Sequence, residues 1–447
     1  PRRSSTRPIP PPHLEVPALP APVFRTLSNG LIAAALPMPG ESAHMRVRLK
    51  AGAAHDPKGR EGTALLTARL LTAGSAPGPA ETLADRQVRL VSSALQSGEA
   101  FANREFIEIS ATLFPDAIAD ASRVLARAIT EPVFDDAALA RTKRGLAAVK
   151  TTRSNNSRWR ADRGAFEALY AADQRYGRPP EGTAESLAAI SREDVTAFHR
   201  VHYRPERVVV VVAGAIDPVA ALTEIERAFG TWRPAAAPPT APAAITAGTR
   251  GAPAAGAQPT RVHIPLDKVQ ASLTVALPGI SRDSDDFAAL SALNYLLGET
   301  GYAGRLGEVL VDTGISYSVY ATFWADRGAG PVLITTDAVR SREAADLIVR
   351  TLDSFARNGV TEAELREAKG YLLGRLLFRF ESPQAATATL AEVGYFAERT
   401  PASAEASGLS ALRAFARRVL ALTVDNLNRA ARKYYDPSRA AIVIAGR

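Results

Sequence analysis

Apolar and polar positions alternate in a way that predicts strands at the start of the chain and helices after them. Short apolar segments at Phe24–Leu27, Leu31–Leu36 and Met45–Ala51 predict three strands, and Ser28-Asn29-Gly30 between the first two is typical of a hairpin turn. A run of valines at Val208–Ala213 predicts a buried closing strand. Strands followed by helices and a last strand predict an α+β fold with mainly antiparallel sheets.

The longer segments have helical periodicity, and the same order of elements recurs in the second half. In the first half, the pattern predicts a strand at Phe106–Leu113 and helices at Gly62–Thr72, Ala80–Ser93, Pro115–Ile129, Asp135–Thr151, Trp159–Ala172 and Ser191–Tyr203. In the second half, it predicts strands at His263–Leu277, Ser316–Trp324 and Pro331–Asp337, and helices at Asp285–Leu297, Gly304–Thr313 and onward to Tyr434.

A compositional break divides the chain into two halves. Residues 231–260 are dominated by Ala, Pro, Gly and Thr and have neither helical nor strand periodicity, so they predict a linker. We therefore expect a domain at 24–230 and a second domain at 261–447. Residues 1–23 are a Pro-rich lead-in.

Two segments of the first half recur in the second. Tyr203-Arg204-Pro205 followed by a valine strand matches Tyr435-Asp436-Pro437 followed by an apolar strand, and both strands end at Ala-Gly. Upstream, the helix around Lys143 resembles the helix around Lys369. Two matches in the same order predict a duplicated domain.

Composition excludes several classes of protein. A chain of 447 residues with 46% hydrophobic and 22% charged residues is too long for one core and too apolar to be disordered, and no apolar run could span a bilayer. The net charge is +8, but only seven basic residues are Lys and no basic block with interleaved aromatics occurs, which argues against a nucleic-acid partner. The absence of cysteine excludes disulfides, thiol nucleophiles and Cys-ligated metals.

The start of the sequence bears on localisation. The chain opens on Pro1, and the lead-in has no apolar segment of the signal-peptide type. We expect a mature, exported protein of the periplasm, with a cytoplasmic location as the alternative.

Several strings together resemble the M16 (pitrilysin-like) metallopeptidase family, in particular its short two-domain members that pair as two subunits. The opening hairpin Ser28–Leu31 and the segment Ala51–Gly62 resemble the approach to the family's active helix. Gly304–Leu306 and Gly314–Tyr320 resemble strings of its second domain. The resemblance implies two duplicated domains, each a mainly antiparallel sheet packed with helices.

In that family, the helix after the glycine carries HxxEH, in which two imidazoles bind zinc and the Glu acts as general base. At the histidine positions this sequence has Leu65 and Arg69, and at the Glu position it has Ala68. The third zinc ligand would be a Glu about 75 residues further on, but no Asp or Glu lies between Asp136 and Asp162. The resemblance therefore implies no metal and no intrinsic catalysis in this chain, with zinc in a partner subunit.

The six histidines offer little replacement for the lost ligands. His199 and His202 are three residues apart near the end of a predicted helix, where they either form a new metal site or bind helix-end carbonyls. The second interpretation is preferred. His55, beside Asp56 in a predicted turn, is interpreted as structural.

Paired family members use an Arg and a Tyr of the partner's second domain to hold the substrate carbonyl near the metal, and both side chains can donate to a developing oxyanion. Tyr317 falls on the Tyr position, while the Arg position holds Leu310. Arg305 matches a different Arg of the family and could substitute only if its helix were displaced. Strand-edge packing for Tyr317 and helix capping for Arg305 are the alternatives.

Three functional hypotheses remain from the sequence. The first is a non-catalytic subunit that pairs with an HxxEH-containing homologue, completes its chamber and helps to bind extended peptide, with strand addition as one mode. The second is a structural or peptide-binding protein with no role in proteolysis. An autonomous hydrolase has little support, since the sequence has no Gly-x-Ser-x-Gly elbow or phosphate loop.

Overall fold

The computed structural model describes residues 14–73, 100–171, 174, 176–233, 258–396 and 409–447. In the first half the strands are β1 (Val23–Thr26), β2 (Ile32–Pro37), β3 (Ala43–Leu49), β4 (Ala100–Ala102), β5 (Ile107–Leu113) and β6 (Val208–Gly214). The helices there are α1 (Thr63–Ala73), α2 (Ile118–Thr130), α3 (Asp136–Ser154), α4 (Ser157–Leu169), α5 (Ala184–Ala189), α6 (Arg192–His202) and α7 (Pro218–Phe229).

The second half is built from a similar set of elements. Its strands are β7 (Thr260–Pro265), β8 (Ala271–Pro278), β9 (Ser316–Phe323), β10 (Pro331–Ala338) and β11 (Ala441–Gly446). Its helices are α8 (Phe287–Gly298), α9 (Ser341–Asn358), α10 (Glu362–Phe378), α11 (Pro383–Phe396), α12 (Ser410–Leu420) and α13 (Val424–Tyr434), and a short helix Gly304–Leu306 continues as a π-helical turn, Gly307–Val311. No helix of the described residues is long and apolar enough to cross a membrane.

The two sheets share the order of five strands, and the first sheet has one additional edge strand, β1. The first has the strand order β1-β2-β6-β3-β5-β4 and the second β7-β11-β8-β10-β9. In each, the closing strand (β6 or β11) lies parallel to an earlier strand on one side and antiparallel on the other, and the remaining pairs are antiparallel. The predicted α+β class with two duplicated, mainly antiparallel sheets is confirmed.

Each sheet is covered on one face by a helix that comes from the other half of the chain. α11 of the second half packs mainly on β3 and β6 of the first sheet, where Leu390 and Ala391 join Val209 and Val211 in one buried cluster. α4 of the first half packs on β8 and β11 of the second sheet. Every residue of β6, which begins with five consecutive valines, is buried; since side chains alternate between the faces of a strand, β6 is covered on both sides.

A glycine at each of the two contacts allows the exchanged helix to approach the sheet closely. A Cβ at Gly394 of α11 would lie 2.8 Å from Val209 Cγ1, and one at Gly164 of α4 would lie 3.0 Å from Val443 Cγ1. Neither neighbour is the flexible end of a long side chain, so larger residues would force the helix away from the sheet.

The two lysines that match in sequence, Lys143 and Lys369, make equivalent contacts in the two halves. Lys143 Nζ on α3 donates to the carbonyl of Ile190, which ends α5, and Lys369 Nζ on α10 donates to the carbonyl of Leu420, which ends α12, at 2.8 Å. Each lysine therefore satisfies carbonyls at a helix C-terminus, where a cation is favourable. The repeated sequence strings correspond to a repeated structural contact.

A buried carboxylate joins the halves at the β9–β10 hairpin. Glu105, in the turn between β4 and β5, accepts hydrogen bonds from the backbone N–H groups of Arg327 and Gly328, both at 2.9 Å. The hydroxyls of Tyr170 and Tyr176 donate to the carbonyls of Ala329 and Gly328. The segment from Trp324 to Gly328 lies in the connection between β9 and β10, and residues of the first half bind to it.

His44 makes a second polar link between the halves. Its Nδ1 lies 2.8 Å from Thr387 Oγ1 on α11, and the ring is buried in β3. Burial, and then the charge of Arg46, lower the pKa of His44 to about 4. The ring is therefore neutral where it contacts α11.

Several predicted elements need correction. The strand predicted at His263–Leu277 is two strands, β7 and β8. β7 pairs in parallel with one side of β11, and β8 pairs antiparallel with the other side, so the chain reverses direction between them. The helix predicted at Gly304–Thr313 ends as a π-helical turn at Val311. Helix α7 was not predicted, although Asp217 caps its N-terminus and Pro218 occupies its first turn, which are recognised start signals.

Other predictions fall wholly or partly outside the described residues. These are the helix at Ala80–Ser93, most of the linker at 231–260 and the first part of the lead-in. In the described part of the lead-in, Leu14, Val16 and Leu19 pack against the shared hydrophobic core.

We predict that Gly394→Val lowers the free energy of unfolding by about 2 kcal/mol, because the added methyl groups meet Val209 in a packed contact. Gly374→Val in α10 is the control, since a Cβ there has no neighbour within 4 Å. Urea unfolding of both variants measures the difference. Equal losses in the two variants would contradict the close helix–sheet contact.

We predict that His44 makes the fold less stable in acid. Since its pKa is lowered in the folded state, the unfolded chain binds more protons between about pH 6.5 and 4, and stability falls as pH falls through that window. On going from about pH 7.5 to 5, wild type should lose on the order of 1 kcal/mol more unfolding free energy than His44→Gln. Identical pH dependence of the two proteins would show that His44 titrates normally.

Candidate functional site

The helix that corresponds to the zinc helix is α1, and its N-terminus is firmly held. Both carboxylate oxygens of the buried Asp56 accept backbone hydrogen bonds, from Gly62 N and Ala64 N, each at 2.7 Å. Gly62 has φ +100°, a conformation that other residues rarely adopt. Asp56 thus caps the start of α1 through two backbone hydrogen bonds, and its burial raises the pKa of the carboxyl to about 8.

The three zinc-motif positions lie on α1 with no metal-binding chemistry. Leu65 is half-buried against the core of the first half, Ala68 is fully buried, and Arg69 is exposed. None of these side chains binds zinc, and the described residues contain no group of His, Asp or Glu that could hold a metal ion. The residues present therefore do not fit a zinc ion.

The neighbouring helix α3, where a third ligand would be expected, carries bases in place of acids. Lys143 binds the end of α5, and Lys150 Nζ lies 3.4 Å from the carbonyl of Gly182. The acidic residue at its start, Asp136, faces solvent beside Arg192. Lys143 and Lys150 of α3 thus have structural partners in this region.

The described histidines are engaged in ordinary contacts. His199 Nε2 lies 2.7 Å from the carbonyl of Ile129 at the end of α2, which confirms the prediction of carbonyl binding for this residue. His202 differs, because its Nδ1 faces Arg207 Nη1 at 3.0 Å and its ring packs on His55 at 5.1 Å. Burial, followed by the charges of His55 and Arg207, lowers the pKa of His202 to about 3. His13 lies outside the described residues.

Tyr317 is the most exposed large side chain of the predicted site. It lies on β9, an edge strand of the second sheet, and 79% of its surface is accessible. Tyr302 and Tyr320 are also exposed, and the rings of Tyr302 and Tyr317 meet edge to face at 5.9 Å. The hydroxyl of Tyr317 raises the pKa of Tyr302. We call these three side chains the tyrosine patch.

A β-bulge places two of these side chains on one surface. Val319 pairs with Thr336, whereas Ser316 pairs with Ala338, so β9 has one extra residue. The extra residue interrupts the alternation, which lets Tyr317 and Tyr320 both be exposed although they are three residues apart. Tyr302 and Tyr320 were not predicted as site residues, although Tyr302 lies just before the Gly304–Leu306 string and Tyr320 ends the Gly314–Tyr320 string.

The side chain of Arg305 is hydrogen-bonded within the second half and is not available to bind a substrate at the tyrosine patch. Its guanidinium binds both carboxylate oxygens of Glu364, at 2.9 and 3.0 Å, and the carbonyl of Gly359 at 2.7 Å. It also stacks on Phe355 at 3.9 Å. Leu310, at the position expected for a substrate-binding Arg, is fully buried. These contacts join the loop after α8 to the junction of α9 and α10.

Comparison with known proteins follows from this fold and site. Residues 32–182 match the family model described as Insulinase (Peptidase family M16), and residues 189–372 match the one described as Peptidase M16 inactive domain. The chain belongs to the M16 peptidase family. An uncharacterized zinc protease of Mycobacterium tuberculosis is 33% identical over 219 residues, which are 48% of this chain and 48% of that protein.

Other M16 relatives match a larger share of the chain at lower identity. A mitochondrial-processing peptidase subunit beta of Dictyostelium discoideum is 21% identical over 399 residues, covering 85% of this chain and 80% of that protein. This M16 chain spans about half the length of the curated relatives that it matches first.

Solved structures share the fold. The crystal structure of a peptidase M16 inactive domain from Pseudomonas fluorescens has a TM-score of 0.77 at 24% identity, covering 95% of this chain and 98% of that one. A protease from Helicobacter pylori has a TM-score of 0.80 at 18% identity, covering 96% of this chain and 100% of that one. At such identities the likeness shows the M16 fold.

We predict that Asp56→Ala lowers the free energy of unfolding by about 2–3 kcal/mol, because two backbone N–H groups at the start of α1 lose their buried acceptor. Asp217→Ala, which removes an exposed cap with one hydrogen bond at α7, should cost about 1 kcal/mol. Denaturant unfolding of both variants gives the comparison. A smaller loss for Asp56→Ala than for Asp217→Ala would contradict the role assigned to Asp56.

Proposed function

We propose that this chain is the non-catalytic subunit of a heterodimeric M16 zinc peptidase. Its partner would be an HxxEH-containing homologue that holds the zinc, and this chain would complete the chamber and help to bind peptide. The single observation that carries the proposal is the exposure of Tyr317 on an edge strand of an M16 fold whose own helix α1 has no metal ligands.

Helix α1 keeps the contacts that position it but has none of the zinc-binding side chains of the family, which supports a subunit without its own catalysis. Asp56 and Gly62 still hold the start of the helix, while Leu65 and Ala68 pack into the core. Helix α1 is therefore still held in a fixed position by Asp56, although it has no catalytic residues. The scaffold is what a subunit requires to match the shape of an active partner.

A phenol suits the role proposed for Tyr317. The hydroxyl of an exposed tyrosine can donate a hydrogen bond to a substrate carbonyl and to the oxyanion that develops from it. Tyr302 and Tyr320 would add aromatic surface for the side chains of an extended peptide. The tyrosine patch would then face the partner's zinc across the interface.

Strand addition at β9 has less support than contact through side chains. On the outer edge of β9, Val319 N donates to the carbonyl of Gly301 at 2.9 Å, and the carbonyl of Ala321 accepts from Asn294 Nδ2 at 3.1 Å. A peptide strand would need these backbone groups. We infer that peptide contacts this edge through the tyrosine side chains.

The alternative is a structural or peptide-binding M16 protein with no role in proteolysis. Arg305 favours it, because this guanidinium is held by Glu364 and Gly359 and is not offered to a substrate. The burial of Leu310, which occupies the position of the substrate-binding Arg, also favours this alternative. A subunit of the first kind would have to act with Tyr317 alone.

We predict that Tyr317→Phe lowers the peptidase activity of the mixture with the HxxEH homologue about tenfold or more, because a donor to the oxyanion is lost. The assay measures kcat/KM for peptide hydrolysis by this chain, by the homologue and by the mixture, with zinc content determined on each. Tyr371→Phe, which alters a half-buried tyrosine stacked on Tyr295, is the control and should leave activity unchanged.

The outcomes separate the two candidates. A large gain on mixing that depends on Tyr317 supports the subunit role. The absence of any gain on mixing would favour the structural alternative. Hydrolysis by this chain alone, with stoichiometric zinc, would overturn both.

A further inference from the structure

A cleft of about 430 Å³ in the second half lies outside the tyrosine patch and has no part in the proposed function. We define it by three arginines, Arg282, Arg375 and Arg379, and call it the arginine cleft. Thr322 of β9 also lines it, five residues beyond Tyr317, which corresponds to about 16 Å along an extended strand. Its volume falls within the usual range for small-ligand sites, about 300–1,000 Å³.

The lining of the arginine cleft has one positive charge in excess. Arg375 pairs with Glu299, whereas Arg282 and Arg379 share the single carboxylate of Glu392, the latter at 2.9 Å. Three guanidinium groups therefore face two carboxylates. Arg48 and Asp326, which act on the cleft from outside its lining, add one charge of each sign. One further anion would make the cleft neutral.

A buried amide in the cleft has an oxygen that lacks a hydrogen-bond donor in the described part of the chain. Asn294 on α8 is only 2% exposed and lines the cleft. Its Nδ2 donates to the carbonyl of Ala321, but its Oδ1 has no hydrogen-bond partner among the described residues. Buried acceptors of this kind are normally paired, so a ligand with an N–H or O–H donor would satisfy it.

The rest of the lining is apolar. Phe287 packs on Phe323 at 5.7 Å and on Phe415 at 5.4 Å, and all three side chains line the cleft. Leu372 and Leu376 from α10 complete this wall. An apolar group of the ligand would be buried here, beside the charged end.

From the excess cation, the unpaired Oδ1 of Asn294 and the aromatic wall, we propose that the arginine cleft binds the C-terminal residue of a peptide. The free α-carboxylate would bind Arg379, which shares Glu392 with Arg282, together with Arg375, which lies one helical turn before Arg379 on α10. The amide N–H of the same residue would donate to Asn294, and an apolar side chain would contact Phe287 and its neighbours. This inference concerns the chain alone and does not depend on a zinc-bearing partner.

The test uses isothermal titration calorimetry of the full chain with a matched pair of ligands. N-acetyl-L-phenylalanine carries the carboxylate, the N–H and an aromatic side chain. In N-acetyl-L-phenylalaninamide an uncharged carboxamide of similar size replaces the carboxylate. We expect saturable binding of the acid and at least about tenfold weaker binding of the amide. 3-Phenylpropionate, which lacks the N–H, should bind several-fold more weakly than the acid.

Variants locate the binding in the cleft. Arg375→Gln should weaken binding of N-acetyl-L-phenylalanine about tenfold without changing the melting temperature greatly, since Arg375 is half exposed. Arg357→Gln on α9, where an exposed Arg pairs with Asp353, is the matched control and should bind like wild type.

Several results would overturn the proposal. They are equal binding of acid and amide, no saturable binding of the acid, or equal effects of Arg375→Gln and Arg357→Gln. Binding of 3-phenylpropionate as tight as that of the acid would refute the contact with Asn294. The comparison of ligands needs no variant, so it holds even if Arg375→Gln fails to fold.

Discussion

The exchange of one helix between the halves is the constraint on which the rest of the structure depends. Each sheet exposes an apolar face that its own half does not cover, and the helix that covers it comes from the other half: α11 for the first sheet and α4 for the second. Because burial of apolar surface is the main favourable contribution to folding, neither sheet could leave these faces in water. Gly164 and Gly394 set how closely the exchanged helices approach.

The exchange also explains where polar contacts between the halves are found. Glu105 holds the β9–β10 hairpin through two backbone N–H groups, and His44 reaches Thr387 on α11. These buried groups are paired, as most buried polar groups are, so they favour one relative placement of the two sheets. α1 and β9 are thereby attached to one frame, which is what a subunit needs in order to present Tyr317 to a partner.

Much of this fold could be predicted from the sequence, because repeated strings correspond to repeated contacts. Lys143 and Lys369 were matched by sequence, and both cap helix C-termini. The loss of zinc chemistry at Leu65, Ala68 and Arg69 was equally evident, since a ligand must carry a donor atom. The exchange of α4 and α11 could not be predicted, because periodicity identifies an apolar face without identifying what covers it.

The site was harder to predict than the fold for a related reason. The exposure of both Tyr317 and Tyr320 depends on a bulge in β9, which strand periodicity does not reveal. The environment of Arg305 depends on Glu364, a residue 59 positions away in sequence. Asn294 and the arginine cleft likewise combine residues from β9, α8, α10 and α11.

The most direct test of the account is the zinc content of each subunit in a complex of this chain with an HxxEH-containing homologue. Native mass spectrometry of the complex, followed by dissociation into subunits, would assign the metal to one chain. The account predicts a one-to-one heterodimer with zinc on the homologue and none on this chain. Zinc retained by this chain, or failure of the two chains to associate, would contradict it.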